Sequence, residues 1–146
     1  MAITYGTALA SIDGYWSLFE STGWNRQYRI KKADLATVLE RNWYMVTAYE
    51  GERLVGIGRI VSDGLLHAMI YDLITDPSRR GAGIGTEILR RLVARCREER
   101  IRDIQLFCAD GAQEFYEKRG FRARPAGSPG MEYVGSPAPL PGAIRT

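Results

Sequence analysis

The chain has 146 residues, of which 45% are hydrophobic and 25% are charged, and its formal net charge is +3. These proportions are typical of one globular domain and exclude a disordered chain, a collagen-like repeat and a small disulfide-stapled domain. Arginine supplies 17 of the 20 basic residues. Its rigid fork of donors suits an anionic small ligand, whereas so small an excess of positive charge does not establish nucleic-acid binding.

The amino-terminal part of the chain predicts a short strand over residues 3–5 and then two helices. Apolar residues spaced i, i+3, i+4 mark one face of a helix. In the first helix they are Tyr15, Leu18 and Phe19, and in the second they are Leu35, Val38 and Leu39. Gly23 is expected to end the first helix.

Three runs rich in aromatic and β-branched residues predict an antiparallel meander. They cover residues 43–49, 54–61 and 68–75. Turn residues separate them, at Glu50-Gly51-Glu52 and at Ser62-Asp63-Gly64.

The clearest helix follows, because an apolar stripe runs from Ile84 to Cys96. Residues 104–108 predict a central strand, and residues 112–119 predict a short helix that ends at Gly120. The order of elements therefore indicates a mixed α/β (α+β) fold with helices on both faces of the sheet.

The composition changes only near the carboxyl terminus, where five of the six prolines lie. A short strand is expected over residues 131–134. We expect one domain over residues 1–134 and a Pro/Gly-rich tail over residues 135–146.

Two further features bear on location and metal binding. Cys96 and Cys108 offer neither a disulfide framework nor the spacing of metal ligands, so no metal is expected. The sequence has no apolar run of about 18 residues and no signal-peptide pattern. These features predict a cytoplasmic protein without a membrane partner.

A glycine-rich turn joins the last strand of the meander to the long helix. Glycines at 81, 83 and 85 would let an anion approach the unpaired amides of the first helical turn, and Arg79 and Arg80 add positive charge. A Walker loop would need Lys-Ser or Lys-Thr after Gly85, where Thr86 and Glu87 stand instead. A Rossmann fingerprint would need a glycine at position 86.

The segment Arg80-Gly-Ala-Gly-Ile-Gly85 resembles the Arg/Gln-x-x-Gly-x-Gly/Ala pyrophosphate loop of the GNAT acyltransferases. Further segments are similar to elements of that family in the same order: Val55–Asp63, Leu73–Pro77, and Ala112–Phe121 with its Phe-Tyr-x-x-x-Gly-Phe pattern. The resemblance is narrower to the branch that holds serotonin (arylalkylamine) N-acetyltransferase-like proteins of chloroplasts, cyanobacteria and other bacteria, on the residues Gly23-Trp24-Asn25, Arg59, Ser62-Asp63 and Gly130-Met131.

This resemblance implies the GNAT fold, a mostly antiparallel mixed sheet splayed between its fourth and fifth strands. It also implies acetyl-CoA as co-substrate. The pantetheine arm would bond to the backbone of Leu73, Ile74 and Thr75. The pyrophosphate site would consist of Arg79, Arg80, Gly81, Ala82, Gly83, Ile84, Gly85 and Thr86. Many members have an asparagine for the arm where this chain has Ala109, so that contact is not expected.

The resemblance also implies catalytic roles. A tyrosine at the position of Tyr116 would give a proton to the departing CoA sulfur, since a phenol is a weak acid. Asp72 is the expected general base for the amine, and the alternatives are Asp63 and His67. Asp72 could instead pair with Arg59 across the sheet.

The acceptor is expected to enter beside the first two helices. Candidates for its pocket are Trp24, Asn25, Tyr28, Arg59 and Tyr71, and an aromatic lining favours an arylalkylamine or another apolar amine. Alternative interpretations are a protein N-terminal or lysine acetyltransferase and a non-catalytic sensor of acyl-CoA. Arginines on the long helix are interspersed with glutamates, which favours a solvated face over a nucleic-acid surface. Family members are often dimers, so a homodimer is also expected.

Overall fold

A five-stranded sheet organises the computed structural model, which describes residues 2–135 of the chain. The strands lie in chain order and are β1 (Ile3–Gly6), β2 (Tyr44–Glu50), β3 (Arg53–Ser62), β4 (His67–Thr75) and β5 (Asp103–Leu106). The first four pair antiparallel with their neighbours, whereas β5 runs parallel to β4. The predicted mixed, mostly antiparallel sheet is therefore confirmed.

Five α-helices and one turn of 3-10 helix accompany the sheet in the described residues. They are α1 (Ile12–Ser21), α2 (Asn25–Tyr28), α3 (Lys32–Glu40), the 3-10 turn (Pro77–Arg79), α4 (Ile84–Glu98) and α5 (Gln113–Glu117). The apolar stripe predicted for α4 is buried at Ile84, Ile88, Leu89, Leu92 and Cys96. None of these helices combines the length and the apolar character needed to cross a bilayer.

Three sequence-based expectations differ from the structure. Two helices were expected before the meander, whereas residues 25–28 form a further single turn, α2, which is too short to show an apolar period. The strand expected to be central, β5, lies at the end of the sheet, and a short apolar run cannot distinguish these positions. Residues 131–134 form no strand, because their apolar side chains are exposed and no neighbouring strand pairs with them.

The chain divides into two compact units between Leu106 and Phe107. The first contains the sheet and α1 to α4, and the second contains α5. The tail expected over residues 135–146 lies outside the described residues, apart from Gly135.

Helices cover both faces of the sheet in the first unit, as the sequence predicts. On one face α1 and α3 form a core with the strands, in which Tyr15, Leu35, Met45, Ile57 and Ile74 are buried. On the other face α4 lies against β2, β3 and β4. Two glycines of β3 permit that close approach: a Cβ at Gly56 would lie 2.7 Å from Ile84 Cγ2, and one at Gly58 would lie 2.8 Å from Ile88 Cγ2.

Replacing Gly58 by valine is expected to destabilise the protein by about 1–3 kcal/mol, because three extra carbons must enter a filled contact between sheet and helix. Leu92 Cδ1 would also lie 2.8 Å from the added Cβ, so a shift away from Ile88 and towards Leu92 would not remove the overlap. The free energy of unfolding in urea measures the effect. Gly6→Ala is the matched control, since its Cβ would lie 3.8 Å from Thr47 Oγ1. Equal stability of the two variants would contradict this account of the contact.

Candidate active site

Strand β4 loses its neighbour β5 halfway along its length. The parallel pairing begins at His67–Asp103 and ends at Ile70–Leu106, while β4 continues to Thr75. From Tyr71 onward β4 pairs only with β3 among residues 2–135. Backbone groups of β4 on the β5 side are therefore left without a strand partner over the segment that contains Leu73, Ile74 and Thr75.

We call this part of β4, from Tyr71 to Thr75, the open edge of β4. A β-bulge lies within it. Arg59 pairs with Tyr71 and Ile57 pairs with Ile74, so Gly58 alone stands opposite both Asp72 and Leu73. Asp72 has φ = +53°, in the left-handed region that few non-glycine residues adopt. Consecutive side chains of a regular strand point to opposite faces, whereas the bulge brings those of Tyr71 and Asp72 to the same neighbour, Arg59.

A polar network from separate elements converges on Asp72. The hydroxyl of Tyr15, on α1, donates a hydrogen bond to Asp72 Oδ2. Arg59 Nε donates to the same oxygen at 2.7 Å, and Arg59 Nη1 donates to Asn42 Oδ1 at 3.0 Å. The Arg59 guanidinium carbon also lies 5.3 Å from the centre of the Tyr71 ring. The other carboxylate oxygen of Asp72, Oδ1, has no hydrogen-bond partner in the described part of the chain.

Burial and charge set the protonation of the two donors. Burial of Tyr15, together with the charge and hydrogen bond of Asp72, raises the pKa of its hydroxyl well above the ordinary value. Burial alone would lower the pKa of Arg59, but the charge and hydrogen bond of Asp72 outweigh it and raise that pKa. Both groups therefore remain protonated donors at neutral pH.

The glycine-rich turn leads directly into α4. Asp76 caps the preceding 3-10 turn by accepting from the Ser78 amide at 2.9 Å. Gly81 and Gly83 have φ of +84° and +79°, and a Cβ on either would meet no described atom within 4 Å. Gly83 stands at the N-cap of α4, so the start of this helix lacks the side-chain capping hydrogen bond that a serine or aspartate would supply.

The two arginines of the turn have different surroundings. Arg79 binds both carboxylate oxygens of Glu50, one of them at 3.0 Å, and Nη1 bonds Ser78 Oγ at 3.0 Å. The charge of Arg79 is therefore paired with the carboxylate of Glu50 on β2. Arg80 is exposed and makes no ion pair or hydrogen bond through its side chain within residues 2–135. Arg80 is therefore the arginine of the turn whose charge is unpaired there.

The residues expected around the acceptor form two groups. Arg59 and Tyr71 lie in the Asp72 network. Trp24 and Tyr28 lie at either end of α2, and their ring centres are each 6.2 Å from that of Phe19, which also contacts Tyr15.

Asn25 uses both ends of its amide inside the chain. Its oxygen accepts from the Ile30 amide at 2.9 Å, and its nitrogen donates to Ile30 O at 3.1 Å. In this structure Asn25 therefore fixes the segment that follows α1.

Tyr116 lies on α5 in the second unit, where its ring packs edge-on against Phe115 and Phe121 at centre distances of 5.1 Å and 5.9 Å. Its hydroxyl makes no hydrogen bond to residues 107–135. Burial, and less strongly the nearby Cys108, raises the pKa of Tyr116 above its ordinary value. The phenol therefore keeps its proton at neutral pH.

The alternative bases are engaged elsewhere. Asp63 Oδ1 accepts from the amides of Leu65 and Leu66 at 2.8 Å and 2.7 Å and so closes the β3–β4 turn. His67 Nδ1 lies 2.7 Å from Asp103 Oδ2. Within residues 2–135, no three His, Cys, Asp or Glu side chains come together as a metal site requires.

Sequence reasoning missed Tyr15 and Asn42 as members of the polar network. Tyr15 belongs to the apolar stripe of α1, and its ring is indeed buried in the core. Asn42 precedes β2 in an unremarkable segment. The one indication in the sequence was Tyr15 itself, because a tyrosine on the buried face of a helix needs a hydrogen-bond acceptor for its hydroxyl.

Comparison with known proteins identifies the family. The acetyltransferase (GNAT) family model matches residues 11–121. A histone acetyltransferase of Glycine max is 30% identical over 126 residues, which cover 79% of this chain and 53% of that protein. A chloroplastic serotonin N-acetyltransferase of Oryza sativa is 32% identical over 84 residues, covering 58% of this chain and 42% of that protein.

Solved structures agree on the fold. A GNAT-family acetyltransferase of Streptococcus pneumoniae superposes with a TM-score of 0.78 at 23% identity, covering 92% of this chain and 98% of the other. The chain spans about half the length, or less, of the first curated relatives that it matches. With the family pattern extending from α1 through α5, the chain belongs to the acetyltransferase (GNAT) family.

Proposed function

We propose that this chain is an acetyl-CoA-dependent N-acetyltransferase that transfers an acetyl group directly to the amine of a small molecule. The observation that carries the proposal is the uncapped, glycine-lined start of α4, which follows the open edge of β4 by one short turn. A glycine-lined helix start can bind anions through the backbone amides of its first turn. The match to the GNAT family indicates which anion this is, namely the pyrophosphate of coenzyme A.

The residues present fit coenzyme A. The amides from Gly81 to Thr86 would bind its pyrophosphate, and the exposed Arg80 would add charge there. Arg79 would act indirectly, since its pair with Glu50 fastens the turn to β2. The backbone from Leu73 to Thr75 would bond the pantetheine arm. Acetyl-CoA supplies an activated acetyl thioester when it is bound.

Gly81→Val is expected to weaken acetyl-CoA binding at least about tenfold, that is by about 1.4 kcal/mol. A branched side chain there would fill space that the phosphate needs, and it disfavours φ = +84°. Calorimetry with CoA measures the change. Gly23→Val is the matched control, because Gly23 also has positive φ (+77°) and open space around it. Equal CoA affinity in both variants would contradict the site.

Two side chains have proposed chemical roles. Asp72 would take a proton from the acceptor ammonium through Oδ1, the oxygen that has no partner among residues 2–135. Tyr116 would give its proton to the departing sulfur, and its raised pKa keeps that proton available at neutral pH. Cys108 is not required, since transfer is direct.

The acceptor would bind on the α1–α2 side of the first unit. Tyr71 supplies aromatic surface beside Arg59, and Trp24 and Tyr28 supply it beside Phe19; these rings favour an arylalkylamine or another apolar amine. A lysine or N-terminal amine of a protein is the second candidate, because one relative is named a histone acetyltransferase. The cytoplasmic location and the homodimer remain predictions from the sequence.

The test is CoA release from acetyl-CoA, measured as free thiol, with a panel of amines. The panel contains tryptamine, serotonin, an aliphatic diamine, an amino acid, a lysine peptide and a peptide with a free N-terminus. Thiol release with an arylalkylamine, and an equal amount of acetylated amine by mass spectrometry, is the expected result. Release only with peptides would favour a protein acceptor. Tight CoA binding without release would favour a sensor.

A further inference from the structure

The carboxylate of Asp72 is held on one side only. Oδ2 accepts from Tyr15 and from Arg59, two donors that come from α1 and β3, while Oδ1 accepts from no residue in the described range. Such an arrangement orients a carboxylate and leaves one oxygen available for a third partner. The Arg59 guanidinium is itself fixed by Asn42 at 3.0 Å.

We propose that Tyr15 is a positioning residue of the transfer reaction, whose buried hydroxyl, acting with Arg59, holds Asp72 so that Oδ1 meets the acceptor amine. This inference rests on the proposed role of Asp72 as general base. In that step an N–H bond of the acceptor ammonium breaks, the proton goes to Oδ1, and the electron pair stays on the nitrogen for attack on the acetyl group.

The hydrogen bonds to Asp72 also hold the backbone conformation of this residue. A non-glycine residue within a strand is strained in the left-handed backbone conformation, and it keeps that conformation only where surrounding contacts stabilise it. The two donors pull the side chain towards α1 and β3, and this fixes the bulge and, with it, the orientation of the neighbouring Leu73 peptide. Tyr15 thereby couples the core of the first unit to the open edge of β4.

Tyr15 is suited to this task because its hydroxyl cannot be satisfied by water. Its side chain has 0% exposure, and its ring packs edge-on against Phe19 at 6.3 Å. The charged and titratable groups that face Asp72 are Tyr15 from α1 and Arg59 from β3, with Tyr71 stacked on Arg59. Both donors hold the carboxylate through Oδ2, so loss of either should change the pH profile of activity.

The experiment compares Tyr15→Phe with wild type through the pH dependence of kcat/KM for the best amine of the panel. We expect about a tenfold loss of kcat/KM near neutral pH, the effect of one hydrogen bond to a charged group, and an acid limb displaced from that of wild type. Acetyl-CoA affinity should be unchanged. Tyr49→Phe is the control: Tyr49 packs against the same core, and its hydroxyl makes no hydrogen bond to residues 2–135.

The outcomes separate this inference from the proposed function. If Asp72→Asn loses the acid limb while Tyr15→Phe matches wild type and Tyr49→Phe, the role of Tyr15 is overturned and that of Asp72 stands. If Asp72→Asn keeps the limb, both roles are overturned. Where Tyr15→Phe fails to fold, Tyr15→His decides, since its ring can still donate to Asp72 Oδ2; activity retained in Tyr15→His and lost in Tyr15→Leu supports the inference, and equal activity of the two overturns it.

Discussion

Tyr116→Phe is expected to lower kcat by about 10²–10⁴-fold, the usual contribution of a positioned acid, with little change in acetyl-CoA affinity. The substitution removes the phenolic proton and keeps the ring. The ring contacts with Phe115 and Phe121 are therefore preserved, and the fold of α5 should not change. Steady-state turnover and calorimetric CoA binding, measured on the same preparation, check the two parts.

The raised pKa of Tyr116 predicts the alkaline side of this effect. Deprotonation removes the acid, so wild-type activity should fall at high pH, and the fall should begin above the ordinary range of a tyrosine. Tyr133→Phe is the matched control, since Tyr133 lies in the same unit and is 80% exposed. An unchanged kcat in Tyr116→Phe would remove Tyr116 from the mechanism.

Asp72→Asn is the second large effect, and we expect kcat/KM for the amine to fall by about 10²–10⁴-fold. Asparagine also tolerates the left-handed conformation, and its amide oxygen can accept from Tyr15 and Arg59. The variant should therefore keep the bulge and lose only the proton acceptor. The acid limb of the pH profile should disappear.

Asp63→Asn and His67→Gln are the control variants for Asp72→Asn. Asp63 is engaged with three backbone amides, and His67 with Asp103, so neither is expected to share the pH effect. A wild-type acid limb in Asp72→Asn, with a changed limb in either of the other two, would transfer the role of base.

Local patterns explain why much of the fold could be predicted from the sequence. The stripe from Ile84 to Cys96 repeats every helical turn, and the β2–β3 and β3–β4 turns are marked by Gly51 and Gly64. The glycine-rich turn before α4 could also be predicted, because its glycines at 81, 83 and 85 lie within five positions of the chain. Each of these features depends on residues a few positions apart.

The polar network around Asp72 depends on distant residues and could be predicted only in part. An Arg59–Asp72 pair across the sheet was one of the expectations, but Tyr15 lies 57 positions from Asp72 in the chain. The bulge that brings Tyr71 and Asp72 to Arg59 follows from strand register, which no local pattern indicates. The same holds for β5, whose place at the end of the sheet depends on what pairs with it.

Coenzyme A is proposed to bind at the start of α4 and along the open edge of β4. Amide ¹⁵N NMR of the whole chain, titrated with CoA, tests it most directly. The largest saturable shifts are expected at the amides from Arg80 to Thr86 and from Leu73 to Thr75, and Gly81→Val is expected to weaken both sets together. Saturable shifts confined to other parts of the chain, or no shifts at millimolar CoA, would contradict it.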